Sequence, residues 1–337
     1  MHKDIRERFN ETILEQVIQR YDIDKNNLRL LDGFESYIYE FDRRGEEYIL
    51  RIGHTLRNSE AFVRGEVDWI NYLAENGVPA AKAIPSASGN LVESIDDQMG
   101  GAFLATTFVK ARGRSPWSMS LTPEFYQDYG RLIGRMHMLA KSYIPRDPLG
   151  LRPQWNHPRI ADGAKNIPET MPLVRQYYDE YLRGRQRLPQ DRDSFGLIHE
   201  DAHMGNMFVD ETGNITLFDF DDCNYSWFAN DIAIVLFYMI TGNKDPVGLT
   251  GEFMPRFLSG YAHENRLATS WLETIPLFLK VREIELFGVL HRSFDNPEEV
   301  DNAWISGFMK ERRSRIETDE TYVEFDFAIL APYLADK

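Results

Sequence analysis

The chain has 337 residues, 43% of them hydrophobic and 27% charged, the balance of an ordinary folded protein and not of a disordered one. At roughly 150 residues per domain, that length suggests about two domains. Lys and Arg number 38 against 53 Asp and Glu, a net charge of −15, which argues against a general nucleic-acid or anionic-membrane surface and leaves cationic or neutral partners open.

The opening stretch MHKDIRERFNETILEQ is charged throughout and has no apolar core of signal-peptide length, so a cytoplasmic protein is expected. The single cysteine, Cys223, cannot form an internal disulfide and fits a reducing compartment. Over residues 3–20, Ile5, Phe9, Ile13, Leu14, Val17 and Ile18 recur at three- and four-residue steps, predicting one helix. NLRLLDGFESYIYEFDRRGEEYILRIG follows, with β-branched and aromatic runs punctuated by Asp32-Gly33 and Arg44-Gly45, predicting at least three short antiparallel strands. NSEAFVRGEVDWINYLAENGVP predicts a second helix, capped by Asn58 or Ser59 and stopped by Gly77 and Pro79. Strands expected around residues 90–94 and 102–109 complete an α+β first part.

Beyond residue 115 the character changes. PEFYQDYGRLIGRMHMLAKSY, ETMPLVRQYYDEYLRGRQRL, WFANDIAIVLFYMITG, SWLETIPLFLKVREIELFGVL and EEVDNAWISGFMKERRSRI all carry helical periodicity. The polar KARGRSP at residues 110–116 reads as a linker, which divides the chain into 1–109 and 110–337. The most apolar run, IAIVLFYMI at 232–240, falls short of the ~20 residues needed to cross a bilayer.

Within the helical part, LIHEDAHMGNMF at residues 197–208 alternates His199, Asp201 and His203 and places Asn206 five positions after Asp201. NMFV, the turn DETGN and ITLFDFDD read as a hairpin that brings this cluster beside Asp219, Phe220, Asp221 and Asp222. The set suits phosphoryl transfer. One carboxylate can orient an acceptor hydroxyl and take its proton, while an amide oxygen and a second carboxylate hold magnesium on the phosphates. A metal-hydrolase set of His199, Asp201 and His203 with Asp219 or Asp221 is the other chemical reading, but the remaining histidines (2, 54, 137, 157, 263 and 291) form no comparable cluster. Plain loop residues would leave the Asp-rich strand end unexplained. Of Asp221 and Asp222, one can contact metal while the other caps the following turn. His137, on a helix face with Leu132, Ile133 and Met136, reads as a core histidine.

HEDAHMGN followed by LFDFDD resembles the aminoglycoside phosphotransferase and choline kinase superfamily, whose fold is similar to that of protein kinases. The resemblance covers nearly the whole chain, most strongly residues 197–236. It implies a two-lobed α+β fold with a small antiparallel-sheet N-terminal lobe and a mainly helical C-terminal lobe. It further implies Asp201 as catalytic base, Asn206 and Asp219 as magnesium ligands with Asp221 as a further candidate, and His203 near the transferred phosphate. His199 and Asp231 become braces of the loop. The position between His199 and Asp201, often glycine in the family, is here Glu200.

ATP is then the implied cofactor, and the first lobe must supply a phosphate lid, a cation and an adenine edge. Neither G-x-x-x-x-G-K-[ST] nor G-x-G-x-x-G occurs. A turn at residues 33–36, from Gly33 to Ser36, offers backbone N–H groups as the lid. Arg51 stands at the family's strand lysine, a position that is arginine in its smaller-substrate members, with Glu66 as its expected partner and Glu60 as the runner-up. The backbone at Thr107, Phe108 and Val109 is the expected adenine edge.

The implied function is ATP-dependent transfer of the γ-phosphate to a hydroxyl of a small molecule: an aminoglycoside, a choline-like or amino alcohol, or a sugar. H-x-D-x-H-x-G-N with D-x-D-D is also similar to the bacterial stress-response kinases, which act on protein Ser/Thr. A nucleotide-binding regulator without turnover is a third reading, opposed by intact Asp201, Asn206 and Asp219. The 6 tryptophans are scattered and form no stacking row for nucleic acid. The sequence carries no signal of oligomeric state.

Overall fold

The computed structural model describes residues 3–31, 33, 35–161 and 165–334. The chain divides into two compact units, one made of Met1–Gly113, Tyr143–Arg152 and Thr216–Asp221, the other of Arg114–Ser142, Pro153–Ile215 and Asp222–Lys337.

The first unit begins with α1 (Lys3–Arg8) and α2 (Glu11–Tyr21), two helices where the periodicity predicts one. Asn10 causes the break: its backbone is extended at φ −147°, and its side chain accepts from the Ile13 N–H as the N-cap of α2. The helix buries Ile13, Val17 and Tyr21 in one cluster with Phe41, Leu50, Ile52, Phe103 and Ala105 of the sheet. That sheet consists of β1 (Arg29–Leu31), β2 (Tyr37–Arg43), β3 (Glu46–His54), β4 (Ala83–Ile84), β5 (Glu93–Asp96) and β6 (Ala102–Val109). Its order is β1-β2-β3-β6-β4, with β5 also on β6, and every pairing is antiparallel.

Arg44 (φ 58°) and Gly45 (φ 83°) close the β2–β3 turn, both left-handed as the twist of a two-residue hairpin requires. Asp32, the first residue of the other predicted turn, lies outside the described residues. The strand expected at 90–94 starts at Glu93 instead, because residues 86–90 form a turn in which the Ser86 N–H donates to the Asn90 carbonyl at 2.8 Å. Alternation along β3 buries Tyr48, Leu50, Ile52 and His54 on one face and sends Arg51 to the other.

Between β3 and β4 runs α3 (Glu60–Glu75), capped by Ser59 and stopped by Gly77 at φ 80°. The segment Tyr143–Arg152 returns to lie along it. A Cβ on Gly65 would meet the Leu151 carbonyl at 2.2 Å, so only glycine permits this approach. Asp68 of α3 accepts from the Tyr143 hydroxyl at 2.6 Å and from the Arg146 N–H at 2.9 Å.

The second unit is mainly helical: α4 (Pro123–Ala140), α5 (Pro158–Ala161), α6 (Pro172–Gln186), α7 (Phe228–Ile240), α8 (Pro246–Glu264), α9 (Ile275–Ser293), α10 (Ala303–Met309), α11 (Arg312–Glu317) and α12 (Ala331–Leu334). The predicted helix over EEVDNAWISGFMKERRSRI is two, broken where Glu311 turns left-handed at φ 57°. Nearly every residue of α7 is buried, so its apolar run is that of a core helix, and no helix among the described residues is long and apolar enough to cross a membrane.

Two small pairings interrupt the helices. Strand β7 (Phe195–Ile198) runs antiparallel to β10 (Asn224–Trp227), a strand the sequence reading does not foresee, with Ile198 opposite Asn224. Strands β8 (Met207–Val209) and β9 (Ile215–Leu217) form the expected hairpin, closed where the Asp210 N–H donates to Asn214 at 3.0 Å. Strand β9 ends at Leu217, short of the predicted ITLFDFDD, because Asp219 adopts φ 63°.

Candidate active site

In the second unit, the chain leaves β7 as a loop whose backbone is held by Asp231 in the first turn of α7. One Asp231 oxygen accepts from the His199 N–H at 2.9 Å and the other from the Glu200 N–H at 2.8 Å. His137 Nε2 lies 3.1 Å from the same carboxylate, and its Nδ1 lies 2.9 Å from the Tyr261 hydroxyl, so the core histidine of α4 also steadies the loop.

Asp201 follows. Its N–H faces His199 Nδ1 at 3.3 Å, and its Oδ2 accepts from Asn206 Nδ2 at 2.9 Å with His203 Nε2 at 3.3 Å. Asn206 Nδ2 also donates to the Asp201 carbonyl at 2.9 Å, which turns the nitrogen inward and leaves the amide oxygen as the atom for a cation. Arg282 Nη2, from α9, donates to Asp201 Oδ1 at 2.5 Å and to the Tyr238 hydroxyl at 2.6 Å. Burial raises the Asp201 carboxyl, but His203 and Arg282 outweigh it and hold the group well below the usual carboxylate range.

Glu200 adopts φ 68°, a left-handed conformation that costs a residue with a Cβ and explains why glycine suits the position. Its side chain points inward and is buried, with Asn230 Nδ2 at 3.0 and 2.9 Å from the two carboxylate oxygens. Burial drives its pKa up to about 8; Arg185 opposes this, while Glu285 and Asp231 add to it.

In the first unit, Arg51 forks onto Glu66 with Nη1–Oε1 2.8 Å and Nη2–Oε2 2.6 Å. Glu66 is fully buried, while Glu60, the other candidate, pairs with Arg64 at 2.9 Å. Arg51 also lies 3.9 Å from Asp221 Oδ1 and sits over the Phe108 ring at 5.1 Å. Ser36, Arg51, Gly53, His54, Asn58 and Asp221, among others, line a small indentation.

Asp221 is buried and already engaged, accepting from Arg57 and from Asn58 Nδ2 at 2.7 Å, while its backbone carbonyl accepts from Arg152 at 2.7 Å. Asp219 is exposed at the end of β9. At the lid turn, a Cβ on Gly33 would meet the Ser36 carbonyl at 2.2 Å, so the turn demands glycine; Phe34 lies outside the described residues. Thr107 is buried in β6, and the Val109 N–H already donates to the Lys82 carbonyl at 2.9 Å, which removes that donor from the expected adenine edge.

Sequence reasoning missed Arg282, Tyr238, Arg57 and Asn58. The available signal for Arg282 was a charged residue within the apolar periodicity of LFLKVREIEL. Among the described residues, no three or more His, Cys, Asp or Glu are grouped to hold a metal ion, which gives the metal-hydrolase reading no support.

The profile of the phosphotransferase enzyme family matches residues 28–272. Amicoumacin kinase of Bacillus subtilis (strain 168) is 37% identical over 337 residues, covering 98% of this chain and 99% of that protein. A solved amicoumacin kinase, in complex with AMP-PNP, Ca2+ and Ami, is 38% identical with a TM-score of 0.90, covering 98% of this chain and 100% of its own. A microcompartment-associated aminopropanol kinase at 22% identity shares the fold, with a TM-score of 0.72 and coverage of 93% and 99%.

Proposed function

Because this chain belongs to the phosphotransferase enzyme family, and is an ATP-dependent kinase that phosphorylates a hydroxyl of a small molecule, we propose that its acceptor is amicoumacin or a close analogue. The near full-length identity to amicoumacin kinase supports this acceptor over choline-like alcohols and aminoglycosides, and similarity to small-molecule kinases disfavours the protein Ser/Thr alternative.

The Asp201–Asn206 pair supports the assignment of roles within the loop. Asp201 accepts the acceptor's proton, and its clamp by Asn206 and Arg282 fixes the direction from which a hydroxyl approaches. Asn206 would offer an amide oxygen and Asp219 a carboxylate oxygen to magnesium, a hard cation that takes oxygen ligands. Such an ion would neutralise charge on the phosphates of ATP. Arg51, oriented by Glu66, would meet phosphate oxygens, and backbone N–H groups at Gly33 and Ser36 would offer them donors. Asp221 serves to hold Arg57 and Asn58 in place. His203, with its ring tilted at 44° to that of Tyr238 and ring centres 4.3 Å apart, flanks the base.

The test is ADP release from Mg-ATP with amicoumacin as acceptor, with mass spectrometry of the product. Addition of one phosphoryl group to an amicoumacin hydroxyl is expected; no transfer to amicoumacin, with transfer to an unrelated hydroxylated amine, would reject the acceptor.

A further inference from the structure

We propose that Tyr261, held by Asn265, is a positioning residue for the base Asp201: its hydroxyl donates to His137 Nδ1 and keeps the ring in the Nε2–H form through which Asp231 holds the catalytic loop. The inference rests on the kinase reading above only in naming Asp201 as the base. It begins with helix packing. A Cβ on Gly130 of α4 would meet the Phe257 carbonyl at 1.9 Å, one on Gly134 the Tyr261 carbonyl at 2.6 Å, and one on Gly260 of α8 the Gln127 carbonyl at 1.9 Å. Glycine at these three positions lets α4 and α8 cross closely enough for Tyr261 to reach His137.

The direction of each hydrogen bond follows from Asp231 outward. Its carboxylate accepts from the His199 and Glu200 N–H groups at 2.9 and 2.8 Å and has no proton to give, so His137 Nε2, 3.1 Å away, must carry the hydrogen. Burial holds the His137 ring neutral against the pull of Asp231, and Lys141 on the same helix adds to that effect. Nδ1 of a neutral Nε2–H ring is bare and must accept. Its partner is the Tyr261 hydroxyl at 2.9 Å, whose pKa burial raises, so that the proton stays on the oxygen. That oxygen in turn accepts from Asn265 Nδ2 at 2.7 Å. Phe228, at the start of α7, stacks on the imidazole at 4.5 Å and 15° and fixes its plane. All four members of the chain, Asn265, Tyr261, His137 and Asp231, are buried, so no water competes for these bonds.

Without the Tyr261 hydroxyl, Nδ1 is a buried nitrogen with no donor, and nothing opposes the tautomer that puts hydrogen there. That tautomer turns a bare Nε2 toward the Asp231 carboxylate, two acceptors face to face, and Asp231 loses its anchor in α4. The loop one residue before the base then loosens.

The test is nitrogen-15 spectroscopy of the whole protein with labelled histidine near neutral pH, the His137 signals being identified by their absence in His137→Gln. Wild type is expected to show a protonated Nε2 and a bare, hydrogen-bonded Nδ1; a protonated Nδ1 overturns the proposal. In Tyr261→Phe, the Nδ1 signal is expected to move toward that of an unbonded nitrogen, and amide exchange at His199 and Glu200 to quicken by about tenfold. The kcat for ADP release from Mg-ATP should fall by about tenfold with the KM for Mg-ATP unchanged, the mark of a misplaced group and not of lost binding. Exchange that quickens as much throughout α4 and α8 as in the loop would show a merely structural role and overturn the proposal, as would wild-type kcat in a folded Tyr261→Phe. Should that variant fail to fold, Asn265→Leu carries the same measurements, with a loss of about threefold expected and wild-type kcat again overturning the role. No transfer in wild type counts against the kinase reading alone, since the spectra and the exchange need no acceptor.

Discussion

In the first unit, Arg51 and Glu66 meet through two parallel bonds of 2.8 and 2.6 Å, with the glutamate fully buried. In the second, Arg282 reaches Asp201 through one nitrogen at 2.5 Å, shares that nitrogen with Tyr238, and among the described residues leaves its buried Nε unpartnered. The first is a closed fork in which both partners satisfy each other. The second is open, because Asp201 is bound through single contacts and stays partly exposed. A saturated pair fixes a cation; an unsaturated one prepares a base without sealing it.

The sharpest way to break this comparison is Asp201→Asn, which should keep nucleotide affinity and lower turnover by roughly 10²- to 10⁴-fold, the usual weight of a positioned base. Equal turnover in steady-state assays would remove Asp201 from the chemistry. Asp219→Ala should weaken magnesium-dependent nucleotide binding by at least about tenfold, since removing even an outer-shell partner of a metal typically costs roughly 10- to 100-fold; an unchanged calorimetric titration with Mg-ATP would reject Asp219 as a ligand.

Stability separates the two pairs next. Glu66→Ala strands a buried guanidinium and should cost about 3–5 kcal/mol in denaturant unfolding. Arg282→Met should cost less than about 2 kcal/mol, because Asp201 keeps its bond from Asn206. Equal losses would mean that the two pairs do the same work.

The smallest effect concerns Glu200, whose pKa is pushed up to about 8 in the fold against about 4.3 for an ordinary glutamate. The folded chain then holds a proton that the unfolded chain releases. The associated stability is complete below the ordinary pKa and is lost as the pH rises through about 8. Glu200→Gln should flatten thermal melts across that window, and a profile as steep as wild type would assign the slope to another group.

What could be read in advance follows the range of the interactions. Arg51 and Glu66 sit on a strand and the next helix, 15 residues apart, and the family resemblance locates both. Asp201 and Asn206 sit in one loop. Arg282 comes from 81 residues away on a helix whose periodicity signals only packing, so nothing local announces its partner. The same limit applies to Asp221. Its place in an acidic motif suggests metal, whereas its partners Arg57 and Asn58 lie 164 and 163 residues earlier. Breaks at Asn10, Asp219 and Glu311 were equally hidden, because apolar spacing runs on through a residue whose backbone has left the helix or strand.

The returning segment that rests on Gly65 has a consequence for synthesis. The first unit is assembled from stretches that end at Gly113, Arg152 and Asp221, so it cannot be completed until the chain has been made past its middle. At 5–20 residues per second, the interval between residues 113 and 221 lasts on the order of 5–20 s. Until residue 152 is made, the nascent first unit carries Asp68 without Tyr143 and the α3 face that Leu151 later covers, and until residue 221 it carries Arg57 without Asp221.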